Sequence, residues 1–268
     1  LELTGPPGRW TDAVALAARE LKRARAFGFT KSEFAQAKAE LLAELENQAK
    51  SADTRKSADL ANAIVNALAE EKVFTHPAAE LPRVKAALET VTPEQCHEAF
   101  QTAFGSKDLT VFSSGNLPPA PNGETLEAAL RRGLAEQIEP PTETADAAFA
   151  YESFGAPGEV TARGDVADLG ITQLTFKNGV RANLKKTDFK KDEVLVQVSV
   201  GQGKLAIPAG KPGLELYTQA VFQAGGLGKH SVDDLQRVLA GETVSVDFAV
   251  SEDAFVLGGE TTTEDFAV

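Results

Sequence analysis

The chain has 268 residues, and its 43% hydrophobic and 25% charged residues are the composition of a globular protein. Intrinsic disorder and a coiled-coil rod are therefore excluded for most of its length. The net charge of −12 argues against a nucleic-acid partner, because binding to phosphates needs a basic face. No run of about 18 apolar residues is present, so no membrane span is predicted. A single cysteine, Cys96, excludes an intramolecular disulfide and a zinc site built from thiolates.

The first part of the chain carries apolar residues at helical spacing. The first helix is expected to end before Gly28, because glycine suits the residue that follows a helix. The pattern Thr30–Glu33 is a capping box that opens the next helix. In chain order, the predicted elements are a helix over 10–27, a helix after the capping box, a helix over about 54–71, a helix capped by Thr92, and a short strand over 109–112. This part is therefore predicted to be mainly helical.

The composition changes at Asn116 and changes again after Asp168. Prolines and carboxylates are dense between these positions, apart from one short helix predicted over about 124–137. A stretch of this kind resists burial in a core and is semi-rigid where prolines follow one another. The sequence therefore predicts an exposed linker over 116–168, which limited proteolysis should cut first.

After Asp168 the apolar period becomes two, which is typical of strands. Asn178-Gly179 lies between two alternating runs and is a strong hairpin signal, because both turn residues favour positive φ. The other elements predicted here are a strand over 194–200, a helix over 213–223, a helix capped by Ser231, and a hairpin of strands over 244–250 and 254–260. Strands joined by hairpins predict a mostly antiparallel sheet with helices on one face, so the fold class is α+β.

Two glycine-rich motifs are similar to nucleotide-binding motifs, but local structure explains both of them better. Residues 201–206 match G-x-G-x-x-A, but Pro208 prevents the helix that a dinucleotide fingerprint needs. Residues 225–229 resemble a phosphate loop, but His230 stands where a magnesium-binding hydroxyl is required. A strand exit and a helix end account for the two motifs.

The three histidines, His76, His97 and His230, are isolated in the sequence. A zinc-binding helix needs two ligands four residues apart on one face, and none of the three has a suitable helical partner. We therefore predict solvated histidines. G-x-S-x-G is also absent, so local motifs show no catalytic apparatus.

Groups of residues along almost the whole chain nevertheless form a family pattern. They are Gly28–Thr30, Thr54–Ser57, Val73–Pro77, Leu174–Arg181, Lys185–Glu193, Gly225–Gly228 and Leu239–Gly241. Together they resemble the middle section of zinc metallopeptidases of the pitrilysin/insulysin type, whose motif is the inverted H-x-x-E-H. No single group is specific by itself.

The resemblance implies a clamshell of two halves, each made of two similar α+β domains, with zinc in the N-terminal half. Residues 1–115 would be the helical C-terminal part of the second domain. Residues 116–168 would connect the halves, and residues 169–268 would begin the third, non-catalytic domain. Because the chain also lacks methionine, we expect it to be a piece of a longer polypeptide.

The helix over 213–223 corresponds in this resemblance to the helix that carries the zinc ligands. Leu216 and Ala220 take the positions of the two histidines, and Gln219 takes the position of the general-base glutamate. Leucine and alanine cannot bind zinc, and an amide cannot accept a proton from water. The alternative is that these side chains simply fill the core. In both cases this chain should bind no zinc and contain no catalytic residue.

The resemblance therefore implies a non-catalytic fragment of a zinc endopeptidase that helps to enclose peptide substrate. Its partners would be the catalytic N-terminal half of the same polypeptide and peptide substrates, and zinc would be the cofactor of that half. The alternative is part of a catalytically dead family member that acts as a binding or scaffold subunit. An upstream H-x-x-E-H would distinguish the two, and a standalone small-ligand binding protein is a weaker third possibility. A bacterial source and an exported, periplasmic location are also implied.

Overall fold

The structure is a computed structural model that describes residues 5–105, 110–115, 117–120, 124–143, 148–151 and 153–267. Within these ranges it has eight α-helices and six β-strands, so the predicted α+β class is confirmed. The helices are α1 (Trp10–Phe27), α2 (Lys31–Lys50), α3 (Ser57–Ala69), α4 (Pro77–Thr90), α5 (Pro93–Ala103), α6 (Leu126–Ala135), α7 (Leu214–Phe222) and α8 (Val232–Val238). The strands are β1 (Val160–Val166), β2 (Ile171–Phe176), β3 (Arg181–Lys185), β4 (Val194–Val200), β5 (Val244–Val250) and β6 (Phe255–Thr261).

The chain forms two compact units, each assembled from two separate stretches. Unit 1 contains Leu1–Lys38 and Ala86–Ala145, and unit 2 contains Ala39–Lys85 and Asp146–Val268. Helices α1, α5 and α6 belong to unit 1, whereas α3, α7, α8 and the described strands belong to unit 2. The division into domains at 1–115, 116–168 and 169–268 stays a prediction. Among the described helices, none is long and apolar enough to cross a membrane.

Unit 1 is built on a close contact between α1 and α6. Ala15 and Ala18 on α1 and Ala129 on α6 are almost completely buried. Small side chains let the two helix backbones approach so closely that a Cβ atom added at Gly133 would lie 2.0 Å from the carbonyl oxygen of Ala15. The short helix predicted inside the linker is thus present and packs through its small residues.

The predicted helix ends of unit 1 are confirmed by their hydrogen bonds. Thr30 and Glu33 form the expected capping box, in which each backbone N–H donates to the other side chain, at 2.7 and 3.1 Å. Thr92 and Gln95 form a second one at the start of α5. These caps satisfy N–H groups that have no partner inside the helix.

Unit 2 contains two three-stranded antiparallel sheets, in the orders β1-β2-β3 and β4-β6-β5. The turn at Asn178-Gly179 joins β2 to β3 as predicted, but only Gly179 has a positive φ, of 87°. The expected positive φ at Asn178 is wrong, and the Asn178 side chain instead accepts the backbone N–H of Val180. The strands were expected in one sheet, but within the described residues no ladder joins β3 to β4. Each sheet therefore forms around its own hairpin.

One face of the second sheet is apolar along its whole length. Val196, Val198 and Val200 of β4 lie on this face. Each of them is paired with a residue of β6 on the same face, and that residue is paired in turn with one of β5. Helix α7 packs against β5, where Phe222 stacks on Phe248 with ring centroids 4.8 Å apart. Val196, Val198 and Val200 themselves stay exposed, by 39%, 49% and 57%. The stack of Phe222 on Phe248 thus attaches the end of α7 to the sheet.

Two predicted elements differ from the structure. Residues 110–112 form no strand, and Leu109 lies outside the described residues. Phe112 is 85% exposed, and β propensity without a partner strand does not make a strand. Conversely, β1 lies inside the predicted linker and pairs with β2 along its length. Strand β1 does alternate, with Val160, Ala162 and Val166 separated by polar residues and Gly164, but the linker prediction overlooked it among the surrounding prolines and carboxylates; apart from its last residue, the strand is exposed.

Candidate functional site

Helix α7 is the first candidate site, because it carries the three residues placed at zinc-ligand and general-base positions. Leu216 is 68% exposed, and Ala220, four residues later on the same face, is also exposed. Tyr217 beside them is 65% exposed. The expectation that Leu216 and Ala220 fill the core is therefore wrong. They form an open apolar face on a helix that offers no metal ligand at either position.

Gln219, which is only half-buried, joins α7 to the sheet. Its Nε2 donates to the carbonyl oxygen of Glu215 at 3.2 Å, and its Oε1 accepts the backbone N–H of Val250 at 3.3 Å. Both ends of the amide are thus used in structural hydrogen bonds. A residue engaged in this way positions the helix, and it has no group that could accept a proton from water.

The histidines do not come together, and their surroundings differ. His76 is exposed and its Nδ1 accepts the backbone N–H of Ala78, at the start of α4. His97 is half-buried, with its Nε2 3.0 Å from the carbonyl oxygen of Arg25. In the part of the chain that the structure describes, no group of three or more His, Cys, Asp or Glu could hold a metal ion. The described residues therefore do not fit a zinc centre.

His230 is buried, which corrects the prediction of a solvated side chain. Its Nε2 accepts the backbone N–H of Ala150 at 2.9 Å, and its ring stacks on Phe149 with centroids 5.6 Å apart. His230 thus attaches residues 149–151 to the 227–230 turn within unit 2.

The two glycine-rich motifs have structural roles only. Residues 203–206 form a 3-10 turn that is followed by extended backbone, so no α-helix opens there. In the second motif, the N–H groups of Leu227 and His230 donate to each other's carbonyl oxygens, and that of Lys229 donates to the Tyr151 hydroxyl. These N–H groups are therefore already used, and a phosphate would find none of the three available.

A second candidate is a groove of about 840 Å³ in unit 2, which we name the acidic groove. Its apolar lining includes Ala43 of α2, Leu235 of α8, and Leu239 just after α8. Glu44 and Glu242 stand at its polar margin. The volume lies in the range of ligand-binding pockets, and the mixture of apolar lining and a few charged groups is typical of them. Sequence reasoning missed the groove because its lining comes from distant segments.

Charged residues beside the groove form hydrogen-bonded pairs that fix its walls. Lys190 donates to Glu193 at 2.6 Å and to Glu260 at 2.9 Å, and these partners raise the pKa of Lys190. Asp192 accepts from the hydroxyl and the N–H of Thr263, which hold the pKa of its carboxyl below the ordinary value despite burial. The turn carrying these residues is thereby attached to the end of β6.

Two carboxyl groups, those of Glu242 and Asp265, interact at the groove. A hydrogen bond to Asp265, burial and the charge of Asp265 together raise the pKa of Glu242. Burial acts to raise the pKa of Asp265, but hydrogen bonds from the N–H of Thr243, the Glu242 carboxyl and the Thr262 hydroxyl hold it below the ordinary value. Of the two carboxyl groups, that of Glu242 is therefore the first to take up a proton as the pH falls.

Glu242→Gln should stabilise the protein at pH 7 and have no effect in acid. Because the folded-state pKa of Glu242 is raised, its contribution to stability is present below about pH 4 and is lost as the pH rises through that pKa. Glutamine can donate the same hydrogen bond without a charge. We expect a melting temperature that is higher by about 1–3 °C at pH 7. The increase is small because the Glu242 side chain is exposed to solvent. The control is Glu252→Gln, which removes a carboxylate from an exposed pair with Lys204. Equal shifts in the melting temperature of Glu242→Gln at pH 7 and in acid would contradict the raised pKa of Glu242.

In comparisons with known proteins, two solved structures are similar to this chain. No family model and no curated protein matches it. The crystal structure of the periplasmic protease PqqL from Escherichia coli is similar, with a TM-score of 0.44 and 19% identity over 95% of this chain and 28% of that chain. A mutant of the ferredoxin protease FusC in complex with Arabidopsis ferredoxin has a TM-score of 0.44 and 17% identity over 96% of this chain and 29% of that chain. This chain spans less than a third of the length of either of these proteins.

Proposed function

We propose that this chain is a non-catalytic part of a zinc-dependent endopeptidase and helps to enclose a peptide substrate. One observation carries the proposal: α7 lies where the family resemblance expects the zinc helix, and it has Leu216, Gln219 and Ala220 at the ligand and base positions. Helix α7 packs on its sheet, but it lacks the side chains that could bind a metal ion.

The proposed contribution of this chain is enclosure, without any reacting group. A wall that excludes water and orients the scissile bond favours hydrolysis at a site carried elsewhere. The exposed apolar face of α7 suits such a wall, because Leu216 and Tyr217 offer large side chains to an apolar surface. Zinc would be held by the catalytic N-terminal half of the same polypeptide. The proposal includes the exported, periplasmic location that the resemblance implies.

The parent polypeptide tests the proposal directly. Deletion of residues 169–268 from it should abolish peptide turnover while zinc stays bound, as measured by metal analysis of the purified protein. Gln219→Ala should leave turnover nearly intact, because Gln219 only joins α7 to β5. Full activity of the deletion variant would exclude an enclosing role. A parent with an intact fold but no turnover and no zinc would instead support a scaffold subunit.

Restoring the three residue types should not restore a metal site. In the 268-residue chain, the variant Leu216→His, Gln219→Glu, Ala220→His should bind zinc only weakly, because a zinc site needs a further protein ligand that the described residues do not provide. Metal analysis after dialysis against a weak chelator measures this, with the unsubstituted chain as control. One tightly bound zinc per chain, accompanied by peptide hydrolysis, would show that the rest of an active site is present.

A further inference from the structure

The acidic groove combines an apolar lining with an excess of negative charge. Its carboxylates are Glu40, Glu44, Asp192, Glu193, Glu242 and Glu260, against two lysines, Lys190 and Lys191. Lys190 is already engaged by Glu193 and Glu260, so it neutralises charges that belong to the wall itself. The groove therefore keeps a negative potential toward any molecule that enters it.

The apolar part of the groove is a continuous strip. Leu235 and Leu239 lie four residues apart on one face of the α8 segment, and Val232 precedes them by three. Ala43 faces the groove from α2, where its small side chain leaves space. These side chains are half-buried, so part of their apolar surface is open to the groove. Covering that surface with an apolar group of a ligand would favour binding.

We propose that the acidic groove binds a cationic peptide segment in which lysine or arginine stands beside a bulky apolar side chain. The apolar side chain would lie on the strip of Val232, Leu235 and Leu239, and the cations would pair with Glu44 and Glu242 at the margin. Charge complementarity selects this occupant, since nucleic acid would be repelled. A bare metal ion does not fit, because the described carboxylates do not converge as a metal site. The proposal stands independently of the proposed function, since it needs no peptidase activity.

The test uses the 268-residue chain and the fluorescein-labelled hexapeptide acetyl-Lys-Leu-Lys-Phe-Lys-Gly-amide. Fluorescence anisotropy should show saturable binding that weakens as salt is added, because exposed charges are screened. The same peptide with glutamate in place of lysine should not bind. A peptide with serine in place of leucine and phenylalanine should bind at least about tenfold more weakly, because it cannot use the apolar strip.

Two double variants of equal charge locate the site. Glu44→Lys with Glu242→Lys should weaken binding by about tenfold or more, because both changes reverse charges at the groove margin. Glu89→Lys with Glu98→Lys makes the same change of charge at exposed positions outside the groove and should alter affinity less than about twofold. Circular dichroism checks that both variants are folded. Equal losses in the two variants, no saturable binding by the unsubstituted chain, or equal binding of the serine peptide would each overturn the proposal.

Discussion

Gly133→Ala should destabilise the protein, although alanine is the better helix former. In an ordinary helix interior this change stabilises by about 1 kcal/mol. Here the new Cβ atom would lie 2.0 Å from the carbonyl oxygen of Ala15, and backbone atoms cannot move aside as a flexible side chain can. Helices α1 and α6 would have to separate, which would expose the buried side chains of Ala15 and Ala129. We expect a net loss of about 1–3 kcal/mol in the free energy of unfolding, measured by denaturant titration.

The control for this change is Arg131→Ala on the exposed side of the same helix. Arg131 pairs with Glu127 one turn away, and both side chains are at least 70% exposed. Exposed pairs of this spacing contribute about 0.5 kcal/mol or less. The two variants thus separate packing between helices from helix propensity and surface charge. Unchanged or increased stability of Gly133→Ala would show that α6 is not seated against α1 as described.

Helix ends and tight turns are the features that the sequence predicts best, because their chemistry is local. Thr92, Pro93 and Gln95 lie next to one another and specify a helix start without help from the rest of the chain. The Asn178-Gly179 turn is equally local, since positive φ at Gly179 follows from the absence of a side chain. These signals correctly placed α5 and the β2–β3 hairpin.

The arrangement of strands depends on distant partners and is much harder to predict. Val194 of β4 lies opposite Thr261 of β6, a pairing that no local pattern specifies. Strand β1 is held by its ladder to β2, although most of its side chains are exposed. Residues 110–112 show the opposite case, with suitable side chains and no partner strand. Burial against a neighbour, which a single sequence does not reveal, decides both cases.

The same limitation applies to the candidate sites. Residue types at 216, 219 and 220 already exclude a metal site, whatever their surroundings. Their exposure, however, depends on which side of α7 contacts the sheet, and Phe222 decides this by stacking on Phe248. The acidic groove was missed entirely because it combines parts of α2, the turn after β3 and the end of β6. It became visible only with the structure.

His230→Ala should loosen the attachment of residues 149–151 within unit 2. It removes the acceptor of the Ala150 N–H and the ring that stacks on Phe149. Loss of a half-buried hydrogen bond and of an aromatic stack together predicts a destabilisation of about 2–3 kcal/mol. Limited proteolysis should then cut near residue 150 sooner than in the unsubstituted chain, because the backbone there loses one of its attachments to the turn.

His230→Phe separates the two contributions of this side chain. Phenylalanine keeps a ring for stacking but offers no acceptor, so the Ala150 N–H loses its partner. We expect about half the effect of His230→Ala, together with faster hydrogen exchange at Ala150, since only the hydrogen bond is lost. Tyr151→Phe is a matched control in the same cluster, because it removes only the hydroxyl that links Leu227 and Lys229. If His230→Phe matched the unsubstituted chain in stability and in exchange at Ala150, the hydrogen bond would contribute nothing, and stacking on Phe149 would be the whole contribution of the His230 side chain.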